Sequence, residues 1–99
     1  MEIEIKGEKI ELKNKVRAML IYEEIRNKAF NPVTLTDMTV YFYSIVLANK
    51  PSISLSFDGF INYLDANPGI LDTFLGWLAT ENEKAAQMRN GEVKKKAML

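Results

Sequence analysis

The chain has 99 residues, 47% hydrophobic and 26% charged, the make-up of one globular domain that can bury a modest core without covalent staples. It contains no cysteine and no histidine, which excludes disulfide frameworks, thiol nucleophiles, zinc–thiolate sites and the usual general base of hydrolase triads. Its formal net charge is zero, so no overall field draws it onto nucleic acid.

The first element reads as a β-hairpin over residues 1–13. Met1, Ile3 and Ile5 alternate with Glu2, Glu4 and Lys6, the two-residue period of a half-buried strand. Gly7-Glu8 suits a two-residue turn with glycine at a central position of positive φ. That register sets Ile5 against Ile10 and Ile3 against Leu12, forming one apolar face. It also opposes Glu4 to Glu11 and Lys6 to Lys9. A lone hairpin is marginal in water, so this face must rest on helices or on another subunit.

The period then changes. Ala18, Ile21, Tyr22, Ile25 and Ala29 fall on one stripe of a helix over about 16–29, widened by Met19 and Leu20. Arg17, Glu24 and Lys28 lie on the other side, Glu24 and Lys28 in the favoured order for an ion pair. Asn31-Pro32 ends that helix. Thr36 is the expected cap of a second helix over 37–49, with Asp37 complementing the positive end of its dipole. This second helix is apolar nearly all round. Met38, Tyr41, Phe42 and Ile45 form one stripe, and Val40, Tyr43 and Leu47 another. Such a helix is either central to the fold or covered by a partner.

Residues 51–56 read as an extended linker that ends in Ser56, the expected cap of a helix over 57–66. Phe57, Phe60, Ile61 and Leu64 mark its apolar face. Asn67-Pro68 reads as a cap with proline in the first helical position, opening a helix over 68–89 whose stripe is Leu71, Phe74, Leu75 and Leu78. Asn90-Gly91 is the expected break, followed by a basic, disordered tail over 90–99 that includes Lys94, Lys95 and Lys96. Charge is uneven along the chain: residues 37–83 set Lys50 against six acids, and residues 84–96 set five basic groups against Glu92.

No reactive constellation stands out, and the expectation is an interaction protein, not an enzyme. Asp65, Asn67, Gly69 and Asp72 do not follow the spacing of a calcium loop, and the cap reading explains them. The adjacent pair Glu23-Glu24, like Asp65 and Asp72, lacks the facing arrangement that glycoside chemistry needs. The basic tail has no aromatic residue to stack on a base. Three rings in succession, Tyr41-Phe42-Tyr43, must point in three directions from a helix, which one small domain has difficulty enclosing. The candidate partner surface is therefore Val40, Tyr41, Tyr43 and Leu47, with homo-oligomerisation or a helical partner as its use. No catalytic, metal or cofactor residues, small-molecule substrate, nucleic acid or membrane are expected. No apolar run reaches the length of a membrane span.

The motifs run in a set order. The hairpin of Ile3 to Leu12 leads to Arg17-Ala-Met and Tyr22-Glu-Glu-Ile25. Asn31-Pro, Leu35-Thr-Asp37 and Tyr41-Phe-Tyr43 come next, followed by Phe57-Asp, Asn67-Pro and Trp77-Leu. Together these resemble the tail assembly chaperones of long-tailed, siphovirus-like bacteriophages over about residues 1–80. Gly59 and Gly76 inside helices depart from the pattern, and residues 81–99 match no part of it. The resemblance implies a non-enzymatic chaperone, working in the cytoplasm of the bacterial host, that shields the tape-measure protein and helps recruit tail-tube subunits. The alternatives are a small phage or bacterial structural or adaptor protein and, on the basic tail alone, a nucleic-acid-binding regulator. The fold expected is α+β: an N-terminal β-hairpin and a small bundle of about four helices, forming one domain over residues 1–89.

Overall fold

The computed structural model describes the backbone of residues 1–98 and the side chains of residues 1–85. The architecture is α+β. An antiparallel hairpin of β1 (Glu2–Ile5) and β2 (Glu8–Glu11) precedes α1 (Val16–Arg26), α2 (Leu35–Asn49), α3 (Phe57–Ala66) and α4 (Ile70–Met98).

The hairpin keeps its expected apolar face but in a different register. Ile3 pairs with Ile10, Glu4 with Lys9 and Ile5 with Glu8, so the turn is Lys6-Gly7 and not Gly7-Glu8. Lys6 and Gly7 both adopt positive φ, 53° and 75°, as a type I′ turn requires to match the strand twist. This register replaces the expected Glu4–Glu11 and Lys6–Lys9 pairs with the unlike pair Glu4–Lys9. Glu2 now faces Glu11, whose carboxylate lies 3.4 Å from the terminal ammonium of Met1. Ile3, Ile5, Ile10 and Leu12 are all buried on the helices.

Helix α2 is the centre of the molecule: α1, α3, α4 and β2 all pack against it. Its three consecutive rings point in three directions, and each direction is filled by this chain. Tyr41 meets Tyr22 and Phe30 edge-on, with centroids 6.1 and 4.9 Å away. Phe42 stacks on Phe74 at 4.1 Å and meets the edge of Phe60 at 5.0 Å. Tyr43 packs on Phe57 and Phe60 at 5.4 and 5.6 Å.

The helix ends differ from expectation in instructive ways. α1 stops at Arg26, because Asn27 takes the left-handed conformation and closes on the carbonyl of Glu23. Lys28 therefore lies beyond the helix, where it binds Asp37 and not Glu24. α2 begins two residues early, capped by Thr34 and not Thr36, since only Thr34 stands three residues before a carboxylate that can complete a capping box. Ser56 caps α3 as expected. Pro68 is not the first residue of α4. Asn67, Pro68, Gly69 and Ile70 form a turn closed by a 3.2 Å bond from Ile70 N–H to the Asn67 carbonyl. Gly69 sits at φ +92°, a conformation that glycine adopts at little cost after proline. The expected break at Asn90-Gly91 is absent, and α4 continues to Met98. A helical Asn-Gly pair weakens a helix by about 1–2 kcal/mol but removes no backbone donor, and the flanking Ala, Glu, Lys and Met residues favour helix.

Candidate interaction surface

The αα-hairpin of α1 and α2 is built around one buried carboxylate. Asp37, in the first turn of α2, accepts hydrogen bonds from Arg26 Nε at 3.0 Å and Lys28 Nζ at 2.9 Å. It also accepts the backbone N–H groups of Val33 at 3.1 Å and Thr34 at 3.3 Å, while its own N–H donates to Thr34 Oγ1 at 3.0 Å. The Lys28 ammonium and the Val33 amide hold its carboxyl well below the usual range, against the opposing effect of burial. Asp37 in turn raises the Lys28 pKa. Glu23 completes the corner by accepting the Phe30 N–H at 2.6 Å. Every charge in this knot serves to join the end of α1 to the start of α2, and none faces a cleft.

Two further polar contacts fix the remaining edges of α2. The Tyr41 hydroxyl donates to Asn14 Oδ1 at 2.6 Å, and burial pushes its pKa up to about 12. The Tyr43 hydroxyl donates to the Leu55 carbonyl at 2.6 Å, which ties the linker down over α2. Asn49 offers its amide to Lys13 as a neighbouring strand would, accepting from Lys13 N–H at 3.2 Å and donating to its carbonyl at 2.8 Å.

The partner surface expected from the sequence is not available on this chain. Val40, Tyr41 and Tyr43 are buried within it, Tyr43 retaining only 9% exposure, and Leu47 is half-buried against the core. The correction has a simple cause: Tyr22 and Phe30 on one side and the rings of α3 and α4 on the other are enough to cover α2. The side chains of Lys94, Lys95 and Lys96 lie outside the described residues.

Among the described residues, the large apolar side chains that remain exposed lie on α1, the α1–α2 connection and the start of α2. Val16 is 69% exposed, Leu20 60% and Ile25 44%, while Val33 and Leu35 reach 71% and 67%. On α1 the buried positions are Ala18 and Tyr22, and each of Val16 and Leu20 stands two residues from one of them. Two residues turn a helix by about 200°, so this pair occupies the outward face, one turn apart. Leu20 therefore does not widen the buried stripe, as its hydrophobicity suggested. Ile25, Val33 and Leu35 gather at the other end of the hairpin, around the Asp37 knot. Angular position relative to Tyr22 was the available signal for Leu20, whereas Val33 and Leu35 fell in a stretch read only for turns and caps.

Two grooves flank the sheet. The larger, about 600 Å³, lies between β1 and α3 and is lined by Glu4, Lys6, Ser54, Gly59, Asn62 and Tyr63. Lys6 Nζ donates to the Ser54 carbonyl across it, and burial together with the Glu4 carboxylate raises the Tyr63 phenol pKa. The smaller, about 380 Å³, runs beside β2. Among the described residues no three acidic side chains converge as a metal site would need, and no helix is long and apolar enough to cross a membrane. Asp65 lies in the last turn of α3 and Asp72 in the first turn of α4, both exposed, and the Asn67 amide between them donates to the Tyr63 carbonyl. No family model, curated protein or solved structure matches this chain.

Proposed function

We propose that this chain is a non-enzymatic assembly chaperone of a phage tail, acting in the cytoplasm of the bacterial host. It shields the apolar helical surface of the tape-measure protein and helps recruit tail-tube subunits. The observation that carries the reading is the set of large apolar side chains left outside the core among the described residues, whose rings are otherwise well covered: Val16, Leu20, Ile25, Val33 and Leu35. Five such residues among the described ones, on α1, the connection after it and the first residue of α2, suit weak, repeated contacts with a long apolar-striped helix. Many copies along one client would add those contacts into durable cover. The expected self-association draws on the same face, which replaces the one assigned from sequence.

The test is sedimentation of the purified chain alone and after co-expression with a tape-measure-like coiled coil. The reading requires a complex that forms with the native chain and is lost in Leu20→Glu with Val16→Glu, while circular dichroism and melting stay unchanged. A complex that survives both substitutions would refute the assignment of this face. Mass spectrometry of purified virions separates the chaperone from a structural subunit: a chaperone is absent from the finished particle, whereas an adaptor persists in it.

A further inference from the structure

The open edge of β2 combines a hydrogen-bonding template with a charge pattern that selects its occupant. The N–H of Leu12 bonds to the carbonyl of Met1 at 2.7 Å, which makes Met1–Leu12 a position of the hydrogen-bonded kind. By the alternation of an antiparallel ladder, Ile3–Ile10 and Ile5–Glu8 are the bonded pairs, and Glu2–Glu11 and Glu4–Lys9 are not. The backbone N–H and C=O groups of Lys9 and Glu11 therefore point away from β1. The next outward position along the same edge is Lys13, and there both backbone groups are already satisfied by the Asn49 amide at 3.2 and 2.8 Å. Asn49 thus stands where a third strand would run, and fills one residue of it.

The groove beside this edge is lined by Lys9, Lys13, Lys15, Asn49 and Lys50, with Glu11 as its one acid. Lys9, Lys13 and Lys15 are exposed, and Lys50 lies 3.6 Å from Glu8. Two copies pairing through this edge would set lysine against lysine, which disfavours self-pairing. The chain's own surplus of acids lies largely in α3 and α4, whose backbones are helical and cannot serve as strands. The opposite edge differs, since β1 faces the Ser54–Ser56 segment and α3 across the larger groove.

We propose that the β2 edge binds an extended, acidic segment of a partner protein as a third strand, with main-chain bonds to Lys9 and Glu11 and carboxylates facing Lys9, Lys13 and Lys15. The proposal rests on the sheet edge and does not depend on the chaperone reading. Backbone pairing supplies affinity in such additions, and the flanking side chains supply choice of sequence.

The test uses the full chain and a fluorescein-labelled heptapeptide of alternating Glu and Thr, followed by anisotropy at low salt. Saturable binding is expected, with the amides of Lys9 and Glu11 slowed in hydrogen exchange when the peptide is present. Lys13→Glu with Lys15→Glu, both at exposed positions, should weaken binding by about tenfold or more without changing the melting temperature. The same peptide methylated on alternate backbone nitrogens keeps its charge but loses its donors, and it should not bind. Equal binding of the methylated peptide, tighter binding of a single-stranded oligonucleotide, or no saturable binding at all would each overturn the proposal.

Discussion

Phe42→Ala is the sharpest probe of the fold, because Phe42 is fully buried at the point where three helices meet. Its ring stacks on Phe74 of α4 at 4.1 Å with planes 4° apart, and meets the edge of Phe60 of α3 at 5.0 Å. Truncation removes the ring from both neighbours and leaves a cavity that two helices from different parts of the chain cannot easily close. Fully buried Phe→Ala changes cost about 3–5 kcal/mol, against a total stability of about 5–15 kcal/mol for a domain of this size. With a urea slope of roughly 1.5 kcal/mol per molar, the midpoint should fall by about 2–3 M at unchanged slope. Urea unfolding followed by far-UV circular dichroism measures this directly. Phe42→Leu, which keeps most of the volume but loses the ring geometry, should recover more than half of the loss. A Phe42→Ala penalty below about 1 kcal/mol would refute the central placement of α2, since only a surface or readily collapsed site behaves that way.

Three further outcomes are expected. Asp37→Asn should destabilise the αα-hairpin in a pH-dependent way. The folded-state pKa of Asp37 is depressed from its ordinary 3.8, so its contribution is full above that value and disappears as pH falls through the folded pKa. Urea midpoints of native and variant chains should then converge in strong acid, and a gap that stays constant with pH would contradict the ion-pair argument. Tyr43→Phe should cost about 1 kcal/mol in thermal or urea unfolding, the value of its hydrogen bond to the Leu55 carbonyl, whereas Tyr43→Ser should cost several times more by emptying the site. Gly69→Ala should lower stability by about 1 kcal/mol or more, read by thermal melting, because φ +92° strains any side chain even where space is open.

Which features the sequence revealed follows from what its patterns can encode. The two-residue alternation of Ile3, Ile5, Ile10 and Leu12 specifies which side of the hairpin is apolar, and a slip of two residues leaves that side unchanged. Register was therefore invisible to the hydrophobic pattern and was settled by the type I′ turn at Lys6-Gly7 and the Glu4–Lys9 pair. Helix α3 was read correctly at both ends, since Ser56 caps it and its apolar spacing is regular. Thr34 and Thr36 are chemically equivalent caps. The capping-box spacing from Thr34 to Asp37 distinguishes them, a signal the sequence carried and a reading of single caps passed over.

The burial of the three rings was hidden for a deeper reason. Periodicity reports that a residue leaves water and is silent on whose atoms replace the water. Tyr41, Phe42 and Tyr43 carried the strongest apolar signal in the chain, and all three are enclosed by Tyr22, Phe30, Phe57, Phe60 and Phe74 from elsewhere in the same chain. Conversely, Leu20 looked like part of a buried stripe, although it stands two residues from Tyr22 and faces outward. A surface that sheds its occupant cannot also be one on which folding depends.

That separation bears on the reversible cover proposed for this chain. A domain whose central helix needed a client to bury it would unfold each time the client was released, because its stability would be tied to the partner's concentration. Here the perimeter of α2 is closed by α1, α3, α4 and the hairpin, and the Asp37 knot fixes α1 against it through two cations and two amides. The outward residues Val16 and Leu20 ride on a helix whose inward face, Ala18 and Tyr22, is already satisfied. The proposed association through that face would then be gained and lost at the free energy of a few exposed apolar side chains, about 1–3 kcal/mol each, while the fold beneath it stays intact.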